Sequence, residues 1–432
     1  MKNILKIHDK LQTIDKNLYI VWGYCREKIM WNENEGDIDL VSEATPVEVQ
    51  KVLNVVWEIG KKYGTCIVSE WGETFELTTF REDIGSVNYR KPAEVKFTHS
   101  LEIDAKRRDF SCNAIYYDPK RQEYIDPELG RKDIENKLLR FVGNIEERIQ
   151  EDALRILRCI RFKNRYGFSF ADESYWEILK KNIKILTNLP IERIRQELDK
   201  MLLDPSNTRS LEDLKTIGFL DIFLPELACL DKYPGNKWHM EWDVWIHTKM
   251  CVEEMNTIIE RETSLDEKTK LLLLWSILLH DIGKWPTYSV WEDGEGHYYD
   301  HEHVWAEMFQ GNIVKRLKFS NSFSERISFI ITEHLRVFKI PTMKKFKARK
   351  LMMHKYFDEL LLVWEADNKW RIPQKLDTFN EILKIYSEFK ELLKTKTFLT
   401  GEDIMKKYPA LEWRELWERL KQLNDQILVD DT

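Results

Sequence analysis

Gly36-Asp37-Ile38-Asp39-Leu40-Val41 is the stretch whose reading decides the fold. Charged and apolar residues alternate from Asp37, the period of a strand. Asp37 and Asp39 therefore point to one face, a few ångströms apart. Two like charges that close are costly unless a cation lies between them, and hard divalent metals favour such oxygen ligands. Taken alone, the pair also fits a solvent-facing strand edge. Upstream, the strand-like run Leu18-Tyr-Ile-Val-Trp22 enters Gly23-Tyr-Cys-Arg26. A glycine there lets backbone amides approach a phosphate, and an arginine three residues on can clamp it. Phe75-Glu76-Leu-Thr-Thr-Phe80 and Glu94-Val-Lys-Phe-Thr98 alternate in the same way. Thr45-Pro46-Val47-Glu48 reads as a helix start, with an apolar period running to about Ile59. Residues 1–143 thus read as mixed α/β.

Further along, Asp104-Ala-Lys-Arg107-Arg108-Asp109-Phe110-Ser111-Cys112-Asn113 gathers arginines, aspartates and an asparagine beside an aromatic. Helical periodicity then covers 152–162, 173–186 and 191–203, and the rest of the chain is mainly helical. In the first of these, Asp152, Arg155, Arg158 and Arg161 recur every three residues along one side. They make either an ordinary ion-paired helix or an Asp and Arg displayed together to bond a nucleobase edge, with further arginines for phosphates. Six of the ten histidines lie between His247 and His334, and the core of that region is Leu278-Leu279-His280-Asp281-Ile282-Gly283-Lys284.

Composition sets the outer limits. The chain has 432 residues, 67 basic against 74 acidic, a formal charge of −7. That length allows two to four domains, and 43% hydrophobic with 33% charged residues describes a globular protein. Net acidity excludes a uniformly basic nucleic-acid coat, but not a local basic surface. One such stretch exists: from Leu335 to Phe357 there are eight basic residues and no acidic one, Lys344, Lys345, Lys347, Arg349 and Lys350 among them. It is either a solvated helix face or a contact surface for an RNA backbone. The six cysteines are scattered with no close pair, as expected of reduced structural thiols. The first seventeen residues show no apolar signal core, and the longest apolar run, 271–279, is half a membrane span. A cytoplasmic protein with no membrane partner is the expectation.

Taken in order, the strand–Gly-x-x-Arg turn, the paired-aspartate strand with Ala44-Thr45-Pro46, Thr78-Thr79-Phe80-Arg81, Arg107-Arg108-Asp109-Phe110, Asp126-Pro127 with Gly130, and Glu151-Asp152-Ala153-Leu154-Arg155 resemble a family. It is that of the class II CCA-adding tRNA nucleotidyltransferases and bacterial poly(A) polymerases. The resemblance implies an α+β fold: a polymerase-β-like head over 1–143, a helical neck over 144–232, an HD-type helical domain over 233–370 and a helical tail over 371–432. It implies that Asp37 and Asp39 hold catalytic Mg²⁺, with Glu76 as a third carboxylate. Gly23 and Arg26 would hold the triphosphate, and Arg108, Asp109 and Asn113 the ribose and phosphate. Asp152 and Arg155 would read the base, supported by Arg158 and Arg161. The implied reaction adds CCA from CTP and ATP to a tRNA 3′ end; poly(A) addition or addition of CC or A alone shares nearly all these motifs. The order His247, His280-Asp281, Asp367 also resembles the HD phosphohydrolases. Those four residues are expected to hold one metal and His301 or His303, with His334, a second, which would support phosphate-ester hydrolysis. A metal-dependent phosphohydrolase whose head only binds RNA is the different-class alternative. The chain departs from the family at Trp22, where a second glycine is usual, and in the acidic run Glu33-Asn-Glu-Gly36.

Overall fold

The computed structural model describes residues 1–30, 38–57, 63–90, 92–233, 243–290, 296–298, 301–370, 376–395, 401–408 and 412–427. The chain forms two units, Met1–Ile222 and Phe223–Thr432. The first carries strands β1 (Leu18–Val21), β2 (Asp39–Ser42), β3 (Val55–Trp57), β4 (Thr65–Glu70), β5 (Glu73–Thr79), β6 (Arg81–Ile84), β7 (Glu94–Phe97), β8 (Tyr116–Asp118) and β9 (Glu123–Ile125). Seven of them form one sheet of order β3-β4-β5-β2-β1-β8-β9, and β6 joins β7 in a separate antiparallel pair. Alternation puts Val21, Val41 and Tyr116 on one face, where they pack with Phe80, Leu101 and Ala105 in a single buried cluster.

A capping box at Thr45 and Glu48 starts the Pro46–Val52 helix, as its sequence requires. That helix stops at Val52, well short of Ile59. The β-branched pair Val55-Val56 instead enters β3 and pairs with β4, and the Asn54 amide is tied to Glu70 Oε1 at 2.9 Å. A second expected helix also shifts. It runs Arg155–Arg165, and Asp152 lies in the break after the Ile145–Glu151 helix, where its carboxylate accepts from the Leu154 amide at 3.1 Å. Aspartate competes with the helical ladder in this way and marks boundaries.

In the second unit, the Glu267–Leu279 helix is apolar on every side and buried from Leu272 to Leu279, so it forms a core that other helices surround. Those carrying polar groups toward it are Val244–Arg261, His301–Met308, Asn321–Val337 and Phe357–Asn368. Among the described residues, no helix is long and apolar enough to cross a membrane.

Candidate active and metal sites

Asp39 opens β2. It faces Val21 on one neighbouring strand and, in parallel register, Glu76 on the other. Register partners point to the same side, so the two carboxylates share one face of the sheet. Asp37 lies outside the described residues, two positions before Asp39. The Trp22–Gly23 turn joins β1 to the Gly23–Ile29 helix, and Trp22 takes φ 64° and ψ −124°, backbone that ordinarily requires glycine. Arg26 is buried on that helix; its guanidinium bonds Asn113 Oδ1 and, at 2.6 Å, the Tyr166 hydroxyl. It is thus engaged by protein and does not line the cavity described next.

A cavity of about 350 Å³ opens beside this turn, and its lining includes Trp22, Arg107, Arg108, Asp109, Asp152, Arg155 and Arg158. Its lining side chains include eight cationic and five anionic groups, a balance suited to an anionic ligand. Asp104 anchors one wall: its carboxylate accepts from Arg107 Nε at 2.7 Å, Arg108 at 2.9 Å and the Tyr116 hydroxyl at 2.7 Å. Burial opposes its ionisation, but Arg108 and Arg107 outweigh that and hold the carboxyl at about 2. Arg158 grips Asp109 through two N–H groups, and Asn113 donates to the same carboxylate at 2.9 Å. Arg155 donates to Glu151 at 2.9 Å and to the Arg107 carbonyl at 3.1 Å. Burial raises the Asp152 carboxyl above its ordinary value. Arg161, expected to support a nucleotide, instead bonds Glu197 at 2.8 Å and does not line the cavity.

In the second unit His247, His280, Asp281 and Asp367 meet in the interior, each at most 2% exposed. Nε2 of His247 is 3.2 Å from Asp367 Oδ1 and 3.5 Å from Asp281 Oδ2; Nε2 of His280 is 3.2 Å from Asp281 Oδ2. Asp281 Oδ1 extends to His301 Nε2 at 3.7 Å, and His334 completes that second group. His303's side chain lies outside the described residues. Backbone carbonyls orient the rings: Nδ1 of His280 bonds the Ile277 carbonyl at 2.7 Å and Nδ1 of His301 the Tyr298 carbonyl at 2.8 Å. That leaves their Nε2 lone pairs facing inward. Buried His280 Nε2 faces the Asp281 and Asp367 carboxylates without hydrogen-bond geometry to either. Burial disfavours its charged form, yet Asp281 and then Asp367 push it up to about 10, whereas burial brings His334 down to about 4. The residues fit a metal, since a cation would replace the proton that the carboxylates otherwise demand. Gly283 permits this packing, because a Cβ there would overlap the His301 carbonyl. Lys284 donates to Asp281 at 2.5 Å.

Sequence reasoning missed Cys251, which sits one helical turn after His247 and joins the same cluster. Its signal was the His-x-x-x-Cys spacing. In the basic stretch, Lys344, Lys345, Lys347 and Lys350 are exposed and Arg349 is half-buried, with Lys345 and Arg349 lining a groove of about 440 Å³ beside Phe389.

Comparison with known proteins agrees with this fold. A poly(A) polymerase head domain matches residues 18–140, a probable RNA and SrmB-binding site of polymerase A matches 167–230, and an HD domain matches 242–369. The CCA-adding enzyme of Geobacillus stearothermophilus is 33% identical over 276 residues, covering 63% of this chain and 66% of that protein. That of Bacillus subtilis (strain 168) is 38% identical over 198 residues, 45% of this chain and 49% of the relative. These matches span about half to two thirds of the relatives' lengths. In three dimensions, the crystal structure of Bacillus stearothermophilus CCA-adding enzyme in complex with CTP aligns with 99% of this chain and 92% of its own, at TM-score 0.67 and 21% identity. Thermotoga maritima CCA-adding enzyme complexed with tRNA aligns with 100% and 92%, at TM-score 0.61 and 18% identity. The fold is therefore that of a nucleotidyltransferase head with a largely helical remainder containing an HD domain. Within that class, the chain belongs to the family of CCA-adding tRNA nucleotidyltransferases and poly(A) polymerases.

Proposed function

We propose that the protein adds CCA, from CTP and ATP, to the 3′ end of tRNA, releasing pyrophosphate, in the cytoplasm. The observation that carries this reading is the register that sets Asp39 beside Glu76 on one sheet face, next to an arginine-lined cavity. Asp37 and Asp39 would hold Mg²⁺, with Glu76 as a further oxygen donor. Bound Mg²⁺ would acidify the attacking RNA hydroxyl and neutralise triphosphate charge. Gly23 opens the turn to the triphosphate, while Arg26 positions Asn113. Arg108 and Arg158, oriented by Asp104 and Asp109, face the phosphates and ribose. Asp152 and Arg155 would present a carboxylate acceptor and a guanidinium fork to the base edge. Lys344, Lys345, Lys347, Arg349 and Lys350 would contact RNA backbone.

Incubating the protein with tRNA lacking its CCA end, with CTP and ATP separately and together, tests the reading. Two cytidines from CTP and a following adenosine only when both are present is the expected product. Long A tracts would identify a poly(A) polymerase, CC or A alone a partial enzyme, and no incorporation defeats the assignment. Changing Lys344, Lys345 and Lys347 to alanine should weaken tRNA binding and flatten the salt slope by up to about 0.9 for each phosphate no longer neutralised. An unchanged slope makes the stretch a solvated face.

The convergent imidazoles and carboxylates of the second unit favour an additional reading, a metal-dependent phosphohydrolase. His247, His280, Asp281 and Asp367 would hold one ion, and Asp281, His301 and His334 another. A bound metal of that kind supplies the electrophile and activated water for phosphate-ester hydrolysis.

A further inference from the structure

We propose that Cys251 is a thiolate ligand in the second unit's metal centre, adding sulfur to its imidazole and carboxylate donors and selecting a thiophilic ion. The proposal rests on reading that cluster as a metal centre.

His247 and Cys251 are four residues apart on the Val244–Arg261 helix, so their side chains rise from one face on consecutive turns. Cys251 is fully buried, and its Sγ is 3.5 Å from His247 Nε2. Donor atoms of His247, Cys251, His280 and Asp367 all lie within 4.8 Å of one another. Donors bound at about 2.0–2.3 Å in a tetrahedral site sit roughly 3.3–3.8 Å apart, so a small contraction around an ion brings these four to bonding distance. A buried cysteine more often fills apolar space as a small hydrophobe. Here the sulfur instead meets an imidazole edge in a cluster that also contains a carboxylate. In that cluster His280 Nε2 is fully buried and faces carboxylate oxygens, Asp281 Oδ2 at 3.2 Å and Asp367 Oδ1 at 3.7 Å, without hydrogen-bond geometry to either, an independent sign that something is to be bound between them.

The sulfur adds a donor of a different kind to the imidazoles of His247 and His280 and the carboxylate of Asp367. Thiolate also shifts preference away from Mg²⁺, Ca²⁺ and Mn²⁺ toward Zn²⁺, Co²⁺ or Fe²⁺. As the sulfur–metal bond forms, the thiol proton passes to solvent, and no electron is transferred.

The test is Co²⁺ titration of the metal-stripped full chain, followed by near-ultraviolet absorption and by elemental analysis. A thiolate-to-cobalt charge-transfer band saturating with bound Co²⁺ is expected in the native protein. In Cys251→Ser the band should be lost, and Zn²⁺ retention against a chelator should fall at least tenfold with Mn²⁺ retention unchanged. Cobalt bound through His280, as shown by its loss in His280→Ala, but without the band in the native protein overturns the cysteine assignment and leaves the metal centre standing. A band that survives in Cys251→Ser overturns it as well. Failure of the native protein to bind cobalt anywhere in the cluster sinks both readings. The native spectrum decides even if the serine variant folds poorly.

Discussion

The cavity of the first unit and the histidine cluster of the second are both rich in ionisable groups, but they manage charge in opposite ways. In the cavity the charges are matched within the protein: Arg108 with Asp104, Arg158 with Asp109, Arg155 with Glu151. The guanidiniums are fixed in position before any ligand arrives, so an anionic ligand would meet a prearranged field. In the cluster, side chains are fixed from behind by backbone carbonyls, while their inward ends crowd together. There the protein alone bears the electrostatic cost, which a bound ion would offset. One site is organised by pairs of residues, and the other would be organised by a guest. Removing a residue should therefore damage the first locally and the second through its occupant.

The largest expected effect tests whether the two sites are independent. Asp39→Ala removes the proposed ligand of an ion that would supply several kcal/mol of transition-state stabilisation, so nucleotide addition should fall about 10³-fold or more. Metal content of the second unit and any phosphate-ester hydrolysis should stay the same. A parallel loss of hydrolysis would break the comparison.

Next in size is Asp104→Asn, which leaves Arg108, 3% exposed, without its carboxylate partner. Stranding a buried charge costs about 3–5 kcal/mol, read as a lower denaturant midpoint for the first unit alone. The pH dependence follows the same group. Its folded value of about 2 lies below the ordinary aspartate value, so its contribution is present above about pH 4 and is lost as pH falls toward 2. That contribution is about 2 kcal/mol, and acid unfolding of the native first unit should flatten in the variant over that window. An unaltered acid limb would show that the pairs do not organise this site.

How far these arrangements were legible depended on the distance between partners in sequence. The period-two pattern at Asp37–Asp39 and the turn at Gly23 are local, and they identified the head. Glu76 was named from its strand, but its register with Asp39 arises from pairing across 37 positions, which periodicity cannot supply. The apolar run after Pro46 overran for a related reason: Val55 and Val56 suit a buried helix or a strand equally until β4 is there to pair with them. Arg161 shared a stripe with Arg155 and Arg158, and only Glu197 on another helix sets it apart. Cys251 was within reach, one turn from His247, but six scattered cysteines read together as structural thiols concealed it.

The smallest expected effect concerns Trp22, the point where the paired site carries strain. Its backbone lies in a glycine region at φ 64°, and such an outlier costs about 1–3 kcal/mol. Its indole lies 5.6 Å from the Arg108 guanidinium and 5.8 Å from that of Arg158, and each cation–π interaction returns about 0.5–1 kcal/mol. Trp22→Gly removes both effects. Strain relief should roughly balance the missing cation–π attraction together with glycine's entropy cost of about 0.5–1 kcal/mol, so the first unit's Tm should shift by no more than about 2 °C. The two guanidiniums lose the aromatic surface that orients them, so KM for CTP and ATP should rise about threefold, the equivalent of roughly 0.7 kcal/mol. A similarly stable variant with weaker nucleotide binding places the indole among the groups that prearrange the cavity. A similarly stable variant with tighter binding would instead make Trp22 an obstruction, and the field in the cavity would then be set by carboxylate pairs alone.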